Sequence, residues 1–274
     1  MSIYGTPVTV GGVGGGKMAF ANLTPQSGVT YTDGVSGLGP AVLSIMSAFI
    51  SNNSDITSET TTVYVDIVYG NIHRKINVGD QVTIALNGTD YAFDVIGFNH
   101  DALTDANAYG KATATGKAGI TFQMHDLFAT YYMMADSTTT SYEWENSVMR
   151  TSTMPLMRGY MPAEWQTAIK PVNKASGLGS GSSSGTETTS DDLFLLAEVE
   201  VFGSLSHSVS GEGTQYAYYK AGNSKVKNND GSAYSWWERS PGSGSTRCCF
   251  VTSSGGANYG GTSFKRGVAF GFCV

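Results

Sequence analysis

The chain has 274 residues, 41% of them hydrophobic and only 14% charged, with a formal net charge of -6. An average globular domain carries roughly 25% charged residues. This surface is therefore neutral and polar, which disfavours a helical bundle with its need for Glu, Lys and Arg on the wet face. The acidic balance excludes nucleic acid as a partner, because no basic stripe exists to displace counterions from phosphates. No apolar run reaches about 18 residues, so no membrane insertion is expected. The opening "MSIYGTPVTVGG" lacks a basic and then apolar start, so synthesis in the cytoplasm without a signal peptide is expected.

In chain order, residues 1–37 are rich in Gly, Ser, Thr and Pro, with short β-like pieces such as "TPVTV", and read as an arm or attachment segment. "GPAVLSIMSAFISNNSD" predicts a helix that starts at Pro40 and ends at Asn52 and Asn53. "TTTVYVDIVYG" alternates as a strand, and "INVGDQVTIALNGTDYAFDVIGFNH" predicts two strands joined at Asn87-Gly88. "ITFQMHDLFATYYMMAD" places Ile120, Met124, Leu127, Phe128, Tyr131 and Met134 near helical spacing. "MPAEWQTAIKPVN" predicts a short helix, and "KASGLGSGSSSGTETTSDD" a flexible surface insertion. "LFLLAEVEVFG" reads as a strand or a short buried helix. The rest is loop-rich, with short strands at "CCFVT" and "VAFGFCV". The expected class is α+β.

Motifs for chemistry are thin. "GGVGGGKM" fits the first part of a phosphate-cradling loop, but Met18 stands where a Ser or Thr would hold magnesium, and Pro25 stops any following helix. His73, His100, His125 and His207 lie far apart, so no metal site is expected. Glu198 and Glu200 would share one face of a strand, where like charges repel. Cys248, Cys249 and Cys273 are too few for a disulfide framework, and no neighbouring group stands ready to activate a thiol. Trp236 and Trp237, adjacent in an extended segment, point to opposite sides. One anchors the core, the other supports the loop beyond, and Glu238 with Arg239 locks the turn at Ser240-Pro241.

The blocks "FNHDALTDANAYGKA", "GKAGITFQ", "WENSVMRTSTM", "IKPVNKAS", "LFLLAEVEVFG", "GEGTQYAYYKAGNSK", "SAYSWWERSP" and "RGVAFGFCV" resemble, in this order, a domain of unknown function common in gut Firmicutes and their prophages. The resemblance implies a loop-rich C-type-lectin-like fold of the formylglycine-generating-enzyme subtype over residues 38–274. It also implies kinship with the variable proteins of diversity-generating retroelements, which display a C-terminal patch, here residues 242–266. On that reading Trp236, Trp237, Arg239, Cys249 and Cys273 are scaffold. Ser243, Ser245, Thr246, Arg247, Cys248, Phe250, Thr252, Asn258, Tyr259, Ser263, Phe264 and Lys265 form the ligand-binding patch. The calcium-sugar motifs of true C-type lectins are absent.

The function so implied is non-enzymatic ligand or receptor binding on a virion tail or a bacterial cell surface, without cofactor or metal. The partner is a protein or glycan on a cell surface, with other tail or virion subunits held through the arm, and a homo-oligomer such as a trimer. The alternatives are a structural virion component with no external ligand, and an enzyme of the formylglycine-generating type.

Overall fold

The computed structural model describes residues 19–67, 71–136, 142–179 and 185–274. The glycine-rich stretch 11–17, with its phosphate-loop likeness, and "TPVTV" lie outside the described residues.

Strand β1 (Ala19–Asn22) pairs antiparallel with β3 (Thr62–Ile67) from Ala19↔Ile67 to Asn22↔Tyr64. β2 (Thr32–Asp33) pairs in parallel with β4 (Ile72–Asn77), completing a four-stranded sheet of order β1-β3-β4-β2. Residues 19–37 of the expected arm pack on the folded body, with Ala21 and Val35 buried in its core, and residues 1–18 lie outside the described residues. Helix α1 (Pro40–Ser51) begins on Pro40, as expected, and buries Leu43, Met46, Phe49 and Ile50. Its end is fixed by the two asparagines: Asn52 Nδ2 donates to the Ala48 carbonyl at 2.7 Å and Asn53 Nδ2 to the Ala21 carbonyl at 2.8 Å.

β5 (Gln81–Leu86) and β6 (Thr89–Phe98) form the expected hairpin. Asn87 and Gly88 turn it with φ of 48° and 81°, a pair of positive values that Asn-Gly accommodates at low cost. The segment read as helical is instead β7 (Ile120–Met124), all five residues of it buried. It pairs with β6 on one side and with the C-terminal strand β16 (Gly271–Cys273) on the other. A strand covered on both faces shows no alternation, so its apolar run and that of the following turns imitate helical spacing.

The resulting five-stranded sheet has the order β10-β16-β7-β6-β5, with β10 at Leu193–Phe194. Its central aromatic layer joins Phe93, Phe122 and Phe272 to Trp165. α1 docks on this sheet by backbone: a Cβ on Gly119 would lie 2.0 Å from the Ser47 carbonyl oxygen, and the Ser47 hydroxyl accepts from Ile120 N–H at 3.0 Å.

A π-helical turn (Met149–Thr153) runs into α2 (Met154–Tyr160), followed by α3 (Ala163–Ala168), the short helix expected there. The stretch read as an insertion is mostly a hairpin of β8 (Val172–Gly177) and β9 (Thr186–Asp191), with residues 180–184 outside the described residues. Its alternate residues Lys174, Ser176, Thr189 and Asp191 are buried, a polar core-facing pattern that composition alone reads as loop. "LFLLAEVEVFG" contains both of its expected elements, β10 and then α4 (Glu198–Phe202). α5 (Ala217–Lys220) and the hairpin β11 (Lys227–Asn229) and β12 (Ser232–Tyr234) lead into the last sheet. That sheet is β13 (Trp236–Pro241), β14 (Arg247–Val251) and β15 (Ala257–Gly261), antiparallel throughout. The described residues form a mixed α/β fold, mostly sheet, with few helices and no barrel.

Candidate ligand-binding face

The C-terminal sheet is seated from below. Trp236 and Trp237 are both fully buried and donate their indole N–H groups to the Lys225 carbonyl at 3.0 Å and the Tyr132 carbonyl at 2.9 Å. Trp237 meets Phe250 edge-on, with ring centroids 5.9 Å apart, and carries the Arg266 guanidinium 4.9 Å from its ring.

Two residues along β13, Arg239 is fully buried and does not pair with Glu238 as the sequence suggests. Its Nη1 and Nη2 grip Glu200 in a two-pronged pair at 2.5 and 3.1 Å, while Nη2 also donates to the Ala175 and Glu212 carbonyls. Glu200 lies in the first turn of α4 instead of on a strand face, and its Oε2 also accepts Ala197 N–H at 2.9 Å. Lys174 closes the network with 2.7 Å bonds to Glu200 and Asp101, and Tyr216 donates to Asp101 at 2.9 Å.

Burial alone would raise the pKa of both acids. Lys174 with His100 outweighs it at Asp101, and Arg239 with Lys174 at Glu200, so both sit below the ordinary carboxylate range. Lys174 and Arg239 balance the two carboxylates of Asp101 and Glu200, the condition for keeping charge inside a protein. Glu238 is the opposite case. It is fully buried with neither carboxylate oxygen hydrogen-bonded, and burial followed by the nearby Glu198 and Glu212 pushes its pKa well up.

Above this base, the turn between β13 and β14 is held by its backbone. Gly242 N–H donates to the Arg247 carbonyl at 2.9 Å, Tyr142 N–H to Ser245 at 2.6 Å, and Thr262 N–H to Thr246 at 3.0 Å. Gly244 has φ of 110°, and a Cβ on Gly242 would lie 2.7 Å from that of Tyr259, so both positions require glycine. The side chains of Ser243, Ser245, Thr246 and Arg247 point into solvent, as do Asn258, Ser263, Phe264 and Lys265. Phe264 is 65% exposed over Gly261. Tyr259 and Thr252 are half-buried.

Tyr259 lies between the Arg247 guanidinium, 5.3 Å from its ring, and the His207 ring at 4.8 Å. The loop bearing His207 is pinned by Glu198, whose Oε2 accepts the N–H groups of Ser206, His207 and Ser208 at 3.2, 3.0 and 2.9 Å.

Two residues expected on the face are not there. Cys248 is fully buried, its thiol donating to the Glu238 and Ser240 carbonyls at 3.1 and 3.2 Å. Phe250 is only 7% exposed, roofed by Arg266, whose guanidinium carbon lies 3.5 Å from the ring centre. In β14 only Arg247 is exposed; Cys248 to Val251 are buried on both faces of the strand, so Cys248 and Phe250 are not display positions. Thr252 lies at the other end of β14 from the 242–247 turn, with its hydroxyl accepting from Gly256 N–H at 2.9 Å.

Cys249 and Cys273 are buried, as expected of scaffold, and burial raises the pKa of all three thiols, so none is a ready nucleophile. Among the described residues, no group of three or more His, Cys, Asp or Glu is placed to hold a metal ion, and no helix is long and apolar enough to cross a membrane.

The sequence model of DUF6273, a domain of unknown function, matches residues 119–274, more than half of the chain. The chain belongs to this family. The DUF6273 region opens at Gly119 against α1 and contains the whole C-terminal sheet, the exposed face and Lys174, Glu200 and Arg239; Asp101 precedes it. No curated protein and no solved structure matches the chain.

The Lys174–Asp101–Glu200–Arg239 cluster has no joint signature in the sequence. Lys174 and Asp101 stand 73 positions apart and Lys174 and Glu200 26 apart, so no local pattern links them. The one available signal was a lysine in "VNKAS", between residues that alternate as a strand.

Proposed function

We propose that this DUF6273 chain is a non-enzymatic ligand- or receptor-binding protein that grips its partner with the face of residues 242–266. It is carried on a virion tail or a bacterial cell surface, on a scaffold of the C-type-lectin-like kind. Its exposed positions are the targets of a diversity-generating retroelement.

One observation carries the reading. The 242–247 turn is fixed by backbone hydrogen bonds while its side chains are exposed, so side-chain identity is uncoupled from the fold. Beside it stand the exposed Phe264 and the Arg247–Tyr259 pair, residue types that anchor binding interfaces. The burial of Cys248 and Cys249 speaks against the formylglycine-generating alternative, which depends on an accessible cysteine pair.

The test is a binding screen of the purified chain against glycans and intact bacterial cells, repeated with Phe264→Ala and Arg247→Ala. Binding that falls in both variants while the thermal midpoint holds supports the reading. Binding that persists in both places the contact elsewhere, and absence of any partner overturns the assignment.

A further inference from the structure

The hairpin turn of β11 and β12, the start of β6 and residues 125–131 enclose a cavity of about 670 Å³. Neither the exposed face nor the buried ion network uses it. Its polar lining consists of three aspartates, Asp90, Asp126 and Asp230, with Asn228, Asn229, His125 and the hydroxyls of Tyr91 and Tyr131. Asp126 Oδ1 is fixed by the backbone N–H and side-chain amide of Asn228 at 2.8 and 3.3 Å, and the Asn229 amide nitrogen donates to the Ala129 carbonyl at 3.1 Å. Both asparagines thus have their amide nitrogens engaged by neighbouring residues of the wall.

Asp90 and Asp230, both exposed at the rim, have no cation within ion-pair distance among the described residues. The buried Lys227, which does not line the cavity, donates its Nζ to the Met124 and His125 carbonyls and offsets the charges of Asp94 and Asp126, so the uncompensated carboxylates are Asp90 and Asp230. His125 spends its Nδ1 on the buried Asp94, 2.9 Å away. The aromatic part of the wall is braced. Tyr91 stacks on Phe128 with centroids 5.4 Å apart, and Tyr131 on Tyr234 at 4.3 Å.

A cavity with surplus negative charge, acceptor oxygens and rigid π surfaces complements one kind of group. It must carry positive charge, bring several N–H donors and tolerate an aromatic face. We infer that this cleft binds a primary ammonium or guanidinium group, supplied by a free polyamine or by a basic side chain of a polypeptide. This site is independent of the proposed face and needs no part of residues 242–266.

The test titrates spermidine, hexalysine and the neutral trisaccharide maltotriose into the full chain at low ionic strength, with amide chemical shifts as the readout. Asp90→Asn combined with Asp230→Asn alters two exposed side chains; Asn suits the positive φ of 49° at Asp230. Saturable binding of spermidine or hexalysine, with shifts at Asn228 and Tyr131, is expected. The double variant and raised salt each weaken it, the variant by about tenfold. Tighter binding of spermidine identifies a free amine, and of hexalysine a basic chain. Phe264→Ala leaves this binding unchanged, which separates it from the proposed face. Failure of both cationic probes to saturate, equal binding by the double variant, or binding of maltotriose in their place overturns the inference.

Discussion

The Arg266 guanidinium lies 3.5 Å from the centre of the Phe250 ring and donates through Nη1 to the Ser235 hydroxyl at 3.0 Å. This contact turns an aromatic that would otherwise be exposed into part of the seal beneath the C-terminal sheet. It also fixes the chain after the 262–265 loop, since Arg266 exchanges two 3.0 Å backbone bonds with Tyr132. Arg266→Ala is expected to cost about 1–2 kcal/mol, the scale of a partly desolvated cation–π contact. Urea unfolding measures the loss, and a red shift of tryptophan emission reports the uncovering of Trp237. Arg266→Lys recovers only part, because an ammonium cannot lie flat on the ring.

The buried network behaves as a unit. Lys174→Met leaves Asp101 and Glu200 short of a cation in the interior, at a cost of about 3–5 kcal/mol. Arg239→Met carries a similar cost by stripping Glu200 of its two-pronged partner. The double variant is expected to lose less than the sum, since both cations act on the same carboxylate. Denaturant midpoints of the two single variants and the pair decide it; strict additivity contradicts the shared role of Glu200.

Glu238 predicts a pH dependence. Its folded pKa is raised above the ordinary 4.5, so the folded chain keeps a proton that the unfolded chain releases. The stability it contributes is complete below about pH 4.5 and is lost as pH rises toward the folded value. Glu238→Gln removes that slope. The thermal midpoint of the native chain is expected to fall more between about pH 5 and pH 8 than that of the variant. His125, raised by its bond to Asp94, slopes in the same direction but is present in both proteins and cancels. Parallel curves contradict a protonated Glu238.

The face and its base should respond in opposite ways to truncation. Trp237→Ala removes a fully buried indole and is expected to cost about 3–5 kcal/mol. Phe264→Ala, at 65% exposure, is expected to change the unfolding free energy by about 0.5 kcal/mol or less. Chemical denaturation of both variants checks the contrast.

What the sequence made legible were the elements with local causes. The β5–β6 hairpin follows from Asn87-Gly88, α1 from Pro40 and the closing asparagines, and β14 and β16 from their apolar runs. β7 was unreadable as a strand because both of its faces are buried, which erases the alternation that marks a half-exposed strand. The β8–β9 hairpin hid behind serine and glycine, since its buried positions hold Lys174, Ser176 and Asp191 in place of apolar residues. At the face, exposure was legible for the turn residues Ser243 to Arg247, where glycines mark the bends. It was not legible for Cys248 and Phe250, which are covered by Tyr142, in contact with the Cys248 thiol, and by Arg266, both from other segments of the chain.

Thermal unfolding of a pooled library tests the central claim most directly, with Ser243, Ser245, Thr246, Arg247, Asn258, Ser263, Phe264 and Lys265 randomised together. Decoupling of side chain from fold predicts that most members unfold within a few degrees of the native chain and keep one cooperative transition. A library that mostly fails to fold, with losses as large as that of Trp237→Ala, would contradict it.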